Sequence, residues 1–162
     1  MPETIKKMHI PTLLIWIAVF EAISASIGMS TQSAVDGWYA GLVRPSFALP
    51  NIVFPVMWTI LYALIASAGY LLWLHRTQES GGAAWWGFVL YMAFNWSWSF
   101  VFFTWHQLLA GFVWIVIINI LALAMIVLCW QRDRRPALLL LPPLCWTLFA
   151  AVLNAAYWWQ NK

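Results

Sequence analysis

Charges divide the chain. No Asp, Glu, Lys or Arg occurs from Pro45 to His75, from Ser80 to Gln131 or from Pro136 to Asn161. Each interval is a nearly unbroken apolar run, and a membrane helix needs about 20 such residues. The first and last intervals take one helix each. The middle one is too long for one span, and its polar break at Trp105, His106 and Gln107, with Gly111 just after, places a turn there. Upstream, Ile10 to Met29 is apolar except for Glu21. The pattern predicts an all-α integral membrane bundle of five spans, about 10–29, 51–74, 84–104, 110–130 and 137–159. One domain covers residues 1–162, and the first connection is a long loop over about 30–50. Runs such as Leu138 to Leu141 and Val113 to Ile118 lack the alternation of a membrane β-barrel. Lys6 and Lys7 before an apolar run also fit a signal peptide, but no small-residue cleavage site with a polar mature start follows. A retained first helix is expected.

Composition agrees with the pattern. The chain has 162 residues, of which 64% are hydrophobic and 8% charged. A soluble domain carries roughly 25% charged residues, so a soluble or disordered chain is excluded. A net charge of +3 is too dilute for a nucleic-acid face. Lys6, Lys7, Arg76, Arg132, Arg134 and Arg135 fall on one side of the bundle, and only Arg44 and Lys162 on the other. The positive-inside bias then places the N-terminus in the cytoplasm and the first loop and C-terminus outside. Cys129 and Cys145 lie in apolar runs without redox or metal spacing and read as packing residues. The sequence offers no nucleophile–base pair, no metal-ligand cluster and no Gly-rich phosphate loop, and no metal or required cofactor is expected.

Fourteen tryptophans change the picture. Trp73, Trp85, Trp86, Trp105, Trp130, Trp158 and Trp159 fall near predicted helix ends and fit an interfacial belt. Trp58, Trp96, Trp98 and Trp146 lie inside their spans, where an indole N–H needs an acceptor. A shared aromatic cavity is one reading of these four, and plain helix packing is the other. Pro55 precedes Trp58 by one turn, as Pro142 and Pro143 precede Trp146, so a proline bend beside each is expected. Polar residues in the spans are few. Glu21 is a functional candidate because ionisable groups are costly there, although a neutral packing role is equally open. Asn95, Asn119 and Asn154 are expected to bind helices together. Ala93-x-x-x-Ser97 offers a close-approach ridge for a homodimer. The loop carries Trp38 and Tyr39, whose rings would cover the mouth of the bundle as a lid.

These motifs, in order, resemble a known family. Trp38-Tyr39, Leu42, Arg44-Pro45-Ser46, Phe54-Pro55 and Trp58-Thr59-x-Leu61-Tyr62 are followed by Phe94-Asn95-x-x-Trp98 with Phe102-Phe103. Pro142-x-x-x-Trp146, Ala150-Ala151 and Leu153-Asn154 complete the pattern. Over essentially its whole length the chain resembles the translocator protein (TspO/MBR) family, the tryptophan-rich sensory proteins, and is similar to its bacterial members. It departs at the lid, where the usual Lys-Pro-x-Trp-x-Pro-Pro reads Arg44-Pro45-Ser46-Phe47-Ala48-Leu49-Pro50.

The resemblance implies a pocket beneath the first loop that binds porphyrins, notably protoporphyrin IX, and synthetic benzodiazepine-type and isoquinoline carboxamide ligands. The implied ligand-binding set is Trp38, Tyr39, Arg44, Pro45, Phe54, Trp58, Tyr62, Asn95, Trp98, Trp146 and Asn154. Some bacterial relatives promote light-dependent porphyrin breakdown, and the residues tied to it match Trp58 and Trp146. Animal members bind cholesterol through a C-terminal motif whose spacing Leu153, Tyr157 and Lys162 fit. Most bacterial membranes lack cholesterol, and the motif is set aside. Three functions remain open at this point: a porphyrin-binding sensor with weak photochemistry, a transporter of porphyrin or another apolar anion, and a regulatory interaction module. The chain shows no internal repeat of the kind common in alternating-access transporters.

Overall fold

A computed structural model describes residues 8–77 and 81–162. Lys6 and Lys7, which contribute to the orientation argument, lie outside the described residues. Five helices follow in order: α1 Ile10–Asp36, α2 Val53–His75, α3 Gly81–Ser99, α4 Leu108–Trp130 and α5 Arg134–Gln160. No strand occurs among the described residues. Helices α1, α2, α4 and α5 are each long and apolar enough to cross a membrane. The more polar α3 reaches the same face through a π-helical turn, Phe100–Thr104. Leu14 and Ile15 on α1, Ile120 and Leu123 on α4, and Val152 on α5 all face outward. In water such a surface would aggregate; in a bilayer it meets its solvent. The chain is an integral membrane protein.

The expected spans and observed helices agree closely except at the end of α1. Ser30, Thr31, Gln32 and Ser33 read as the start of the loop, yet α1 continues to Asp36. The polar side chains sustain it by local bonds. The Ser30 and Thr31 hydroxyls donate to the Ile27 carbonyl at 2.8 and 3.0 Å, and Gln32 Nε2 donates to Asp36 Oδ1 at 2.8 Å. The lid therefore begins at Gly37 rather than residue 30, and it contains one short 3-10 turn, Tyr39–Gly41. At the opposite face Asp133 caps α5, accepting from the Arg135 backbone N–H at 3.0 Å and pairing with its guanidinium at 2.9 Å. Burial pushes this carboxyl up, but the bonds from Arg135 outweigh it and hold Asp133 below its ordinary value.

The expected pair of proline bends is reduced to one. Pro142 and Pro143 lie inside α5. Pro55 lies in the first turn of α2, where a backbone N–H has no intrahelical acceptor, so nothing is lost and no bend is required. The core is built from the half of each helix remote from the lid. Ile65, Ala66 and Ala68 of α2 pack with Phe88, Tyr91 and Met92 of α3, Ile118, Ala122 and Met125 of α4, and Ala137 and Leu140 of α5. By contrast, α1 buries only Phe20 and Thr31. Trp73 and Trp85, assigned to the belt, instead meet Trp16 at 6.2 and 6.0 Å between ring centroids. Exposed Trp86, Trp105, Trp130 and Trp159 suit a belt. Ser97 of the small-residue ridge accepts the Trp114 indole N–H of its own chain at 2.9 Å, so part of that ridge serves α3–α4 packing.

Asn119 and Thr147 tie α4 to α5 reciprocally. The Thr147 hydroxyl donates to Asn119 Oδ1 at 2.6 Å, and Asn119 Nδ2 donates to the Thr147 carbonyl at 3.2 Å. Both residues are buried. Thr147→Val keeps the shape but leaves Asn119 Oδ1 without a donor, at an expected cost of about 1–2 kcal/mol. The thermal midpoint in detergent should fall, and Thr147→Ser should recover most of the loss. An unchanged midpoint for the valine variant would mean that the clamp does not hold the helices.

Candidate functional site

The lid-side halves of the same helices do not close. They enclose a cavity of about 960 Å³. It takes α1 from Glu21 to Asp36, α2 from Phe54 to Tyr62, α3 from Asn95 onward, and α5 from Trp146 to Tyr157. The division follows from residue size and polarity. Below, Ala66, Ala68, Ala122 and Ala137 let backbones approach. Above, aromatic rings on α2, α3 and α5 face a space bordered on its other side by α1.

The walls are aromatic. Trp58 lies 5.3 Å from Tyr62, Trp98 stacks on Phe102 at 5.0 Å, and Phe54 meets Trp146 edge-on at 5.8 Å. The π turn after α3 brings Phe102 and Phe103 to the cavity as successive residues at 79° to each other. Gly111 lets α4 come close here, since a Cβ on it would lie 2.7 Å from Phe102 Cδ2. The Trp98 indole donates to the Gly111 carbonyl at 3.1 Å, which fixes the ring as a wall.

Four residues lining the cavity each carry a buried polar atom without a partner: Glu21 Oε1, Asn95 Nδ2, Trp146 Nε1 and Asn154 Oδ1. Their other polar atoms are largely spoken for. Tyr62 donates to Asn95 Oδ1 at 2.7 Å, and Asn154 Nδ2 donates to the Ala150 carbonyl at 2.8 Å. Buried polar groups are normally paired because each unpaired one costs free energy. Two donors and two acceptors without partners thus belong to side chains that line one chamber, although the atoms themselves are shielded from its open space. Asn154 therefore does not join helices as expected, whereas Asn95 and Asn119 do.

The lid closes over α5. Tyr39 lines the cavity, and its hydroxyl donates to that of Tyr157 at 2.8 Å. Burial, then the bond to Tyr157, pushes the Tyr39 phenol above its ordinary value, so it stays a neutral donor. Asn161, just past the end of α5, holds the lid backbone at two points. The Val43 N–H donates to Asn161 Oδ1 at 2.8 Å, and Asn161 Nδ2 donates to the Val43 carbonyl at 3.1 Å. Trp38 stacks on His106 at 4.3 Å, and His106 takes the left-handed conformation at φ 55°.

Of the ligand set anticipated from the sequence, Tyr39, Phe54, Trp58, Tyr62, Asn95, Trp98, Trp146 and Asn154 line the cavity. Trp38, Arg44 and Pro45 do not. Trp38 forms an outer layer on His106 and Phe102. Arg44 is exposed and braces the lid itself, donating to the Leu49 carbonyl and, at 3.3 Å, to Asn51 Oδ1. Pro45 is buried in the lid. Of the four deep tryptophans, Trp96 also stands apart, packed 5.2 Å from Phe20. The sequence did not single out Asn161, His106 or the polar end of α1 from Thr31 to Asp36. Only the continuation of α1 past Met29 brings that last segment to the cavity, and the apolar pattern stops short of it.

Fold and site define a small polytopic membrane protein with an internal, aromatic-walled, lid-covered chamber. Residues 15–160 match the model of the TspO/MBR family, and the chain belongs to that family. It is 36% identical over 155 residues to the tryptophan-rich protein TspO of Archaeoglobus fulgidus, covering 95% of this chain and 99% of that one. It is 30% identical to the protein CrtK of Rhodobacter capsulatus, covering 93% and 94%. It is 34% identical over 130 residues to the human translocator protein, covering 76% and 75%.

Asn161→Ala removes both bonds to Val43 while leaving the cavity wall intact. The Val43 amide should exchange its hydrogen faster by about tenfold, the scale of one net hydrogen bond. Amides in the α2–α4 core should not change. An unaltered rate at Val43 in hydrogen-exchange mass spectrometry would show that the lid is held by something else.

Proposed function

We propose that the protein is a membrane receptor for porphyrins, protoporphyrin IX among them, which it holds in the cavity beneath the lid. The observation that carries this reading is a chamber of about 960 Å³ with Trp58, Trp98 and Trp146 on its walls. Ligand cavities run to roughly 300–1,000 Å³, so this one sits at the size that a large flat ring system needs. Each indole face offers the macrocycle stacking worth about 0.5–1.5 kcal/mol beyond its buried area. The unpaired Trp146 N–H and Asn95 Nδ2 supply donors, and Asn154 Oδ1 an acceptor for a pyrrole N–H. The ligand's carboxylates belong at the mouth, where Asn51 and Gln32 line the cavity and Arg44 lies on the lid. Synthetic benzodiazepine-type and isoquinoline carboxamide compounds would occupy the same walls.

The same geometry supports a photochemical role. A porphyrin excited by light can take an electron from an indole in contact with it, and Trp58 and Trp146 are the proposed donors. The reduced macrocycle then adds dissolved oxygen across one bridging carbon bond, both oxygen atoms end as the carbonyl groups of the ring-opened tetrapyrrole, and the electron returns to the tryptophan radical, so that porphyrin plus O2 gives product with the indole restored. In Trp58→Phe and Trp146→Phe the aromatic face remains. Porphyrin affinity should weaken by about 1 kcal/mol or less, while light-driven loss of the porphyrin absorbance band should fall much further. Trp158→Phe should change neither. Loss at the wild-type rate in both cavity variants would leave the protein a binder only.

The orientation belongs to this proposal, since it puts the lid outside the cytoplasm. Arg76, Arg132, Arg134 and Arg135 sit at the end of the bundle opposite the lid. A reporter enzyme fused after Lys162 should be active only outside the cytoplasm. Cytoplasmic activity would reverse the assignment.

A further inference from the structure

The cavity's charge has a sign that the porphyrin reading does not use. Among the residues lining it, the ionisable side chains apart from tyrosine are Glu21 and Asp36, and no Lys, Arg or His is present. Arg44, the basic residue of the lid, is turned to the lid's own Leu49 and Asn51. Asp36 is exposed at the mouth and is held by Gln32. Glu21 is different. It lies far along α1 from the mouth, within Coulombic range of the Tyr62 hydroxyl, and its Oε1 is buried without a partner. A glutamate serving only to pack helices would be hydrogen-bonded, because an unpaired carboxyl in an apolar setting is costly.

We propose that the cavity is also a site for lipophilic aromatic cations, with Glu21 as counter-ion and the faces of Trp58, Trp98 and Trp146 as walls. It rests on the reading that this cavity holds ligands, but assigns it a second ligand class. Indole faces attract positive charge through the ring quadrupole, most strongly when water is excluded. A carboxylate beside such faces adds Coulombic attraction that a low-dielectric setting strengthens. Asn154 Oδ1, on a side chain 4% exposed, is a further open acceptor. An inorganic cation does not fit this lining, since a hard divalent ion needs several oxygen ligands at once. The way in suits the same class. Met29 and Ile52 line the cavity and are 80% and 70% exposed, so apolar side chains lead from the surface of the bundle into it. Lipophilic cations gather at that depth of a membrane.

Tetraphenylphosphonium and tetraphenylborate share size and shape and differ in the sign of their charge. Each should be titrated, together with protoporphyrin IX, into purified wild-type protein and Glu21→Gln in the same detergent. The wild-type to variant ratio cancels micelle partitioning. Wild type should bind tetraphenylphosphonium at least about tenfold more tightly than Glu21→Gln, the scale of the attraction between two unit charges roughly 10 Å apart at an effective dielectric constant of about 20. Tetraphenylborate should gain affinity in the variant or stay unchanged. An unchanged thermal midpoint of Glu21→Gln shows the bundle intact. Equal phosphonium affinity in the two proteins, or porphyrin binding without phosphonium binding, overturns the proposal and leaves the porphyrin reading standing. Phosphonium binding that depends on Glu21, without porphyrin binding, overturns the porphyrin reading alone. Binding of neither removes both.

Discussion

The hydrogen bond from the Tyr62 hydroxyl to Asn95 Oδ1, 2.7 Å long and buried, marks the level at which the bundle changes character. In a bilayer no water satisfies a stray hydroxyl or amide, so these groups must find each other across α2 and α3. Away from the lid, alanines and one packed layer of aromatic and aliphatic side chains close the helices into a core. Toward the lid, the same helices line a chamber walled by aromatic rings. The remote halves of α2, α3 and α5 thus build the core and their lid-side halves the chamber, to which α4 lends Ile115.

α1 contributes two buried residues, Phe20 and Thr31, and the rest of its inward side borders the chamber. Its polar end, from Thr31 to Asp36, stays helical through its own side-chain bonds and supplies one wall of the mouth. Tyr39 and Asn161 then fasten the lid to α5 rather than to α1. The lid is anchored on α5, and α1 borders both the outer surface and the chamber.

Much of this was legible in the chain. Gaps between charges located the five helices because lipid excludes charge more strictly than any propensity rule operates. Depth within a span selected Trp58, Trp98 and Trp146, since a buried indole requires an explanation. Depth alone could not separate Trp96, whose ring turns to Phe20 on α1, from its neighbour two residues on. The helical extension past Met29 was hidden because serine, threonine and glutamine read as loop while their side chains bond back to helix carbonyls. Pro55 looked like a bend because its distance from the start of α2 depends on a boundary that hydropathy does not fix. The bonds of Arg44 to Leu49 and Asn51 were not legible because they exist only once the lid is folded.

The central claim is that the space between α1 and the α2–α5 core is where ligand resides. A structure of the protein determined with protoporphyrin IX bound tests it most directly. The account predicts the macrocycle beneath Tyr39, in van der Waals contact with Trp58 and Trp146, with Asn95 Nδ2 or the Trp146 N–H newly paired. A macrocycle lying on the outer surface of the helices, with the chamber empty, would contradict it.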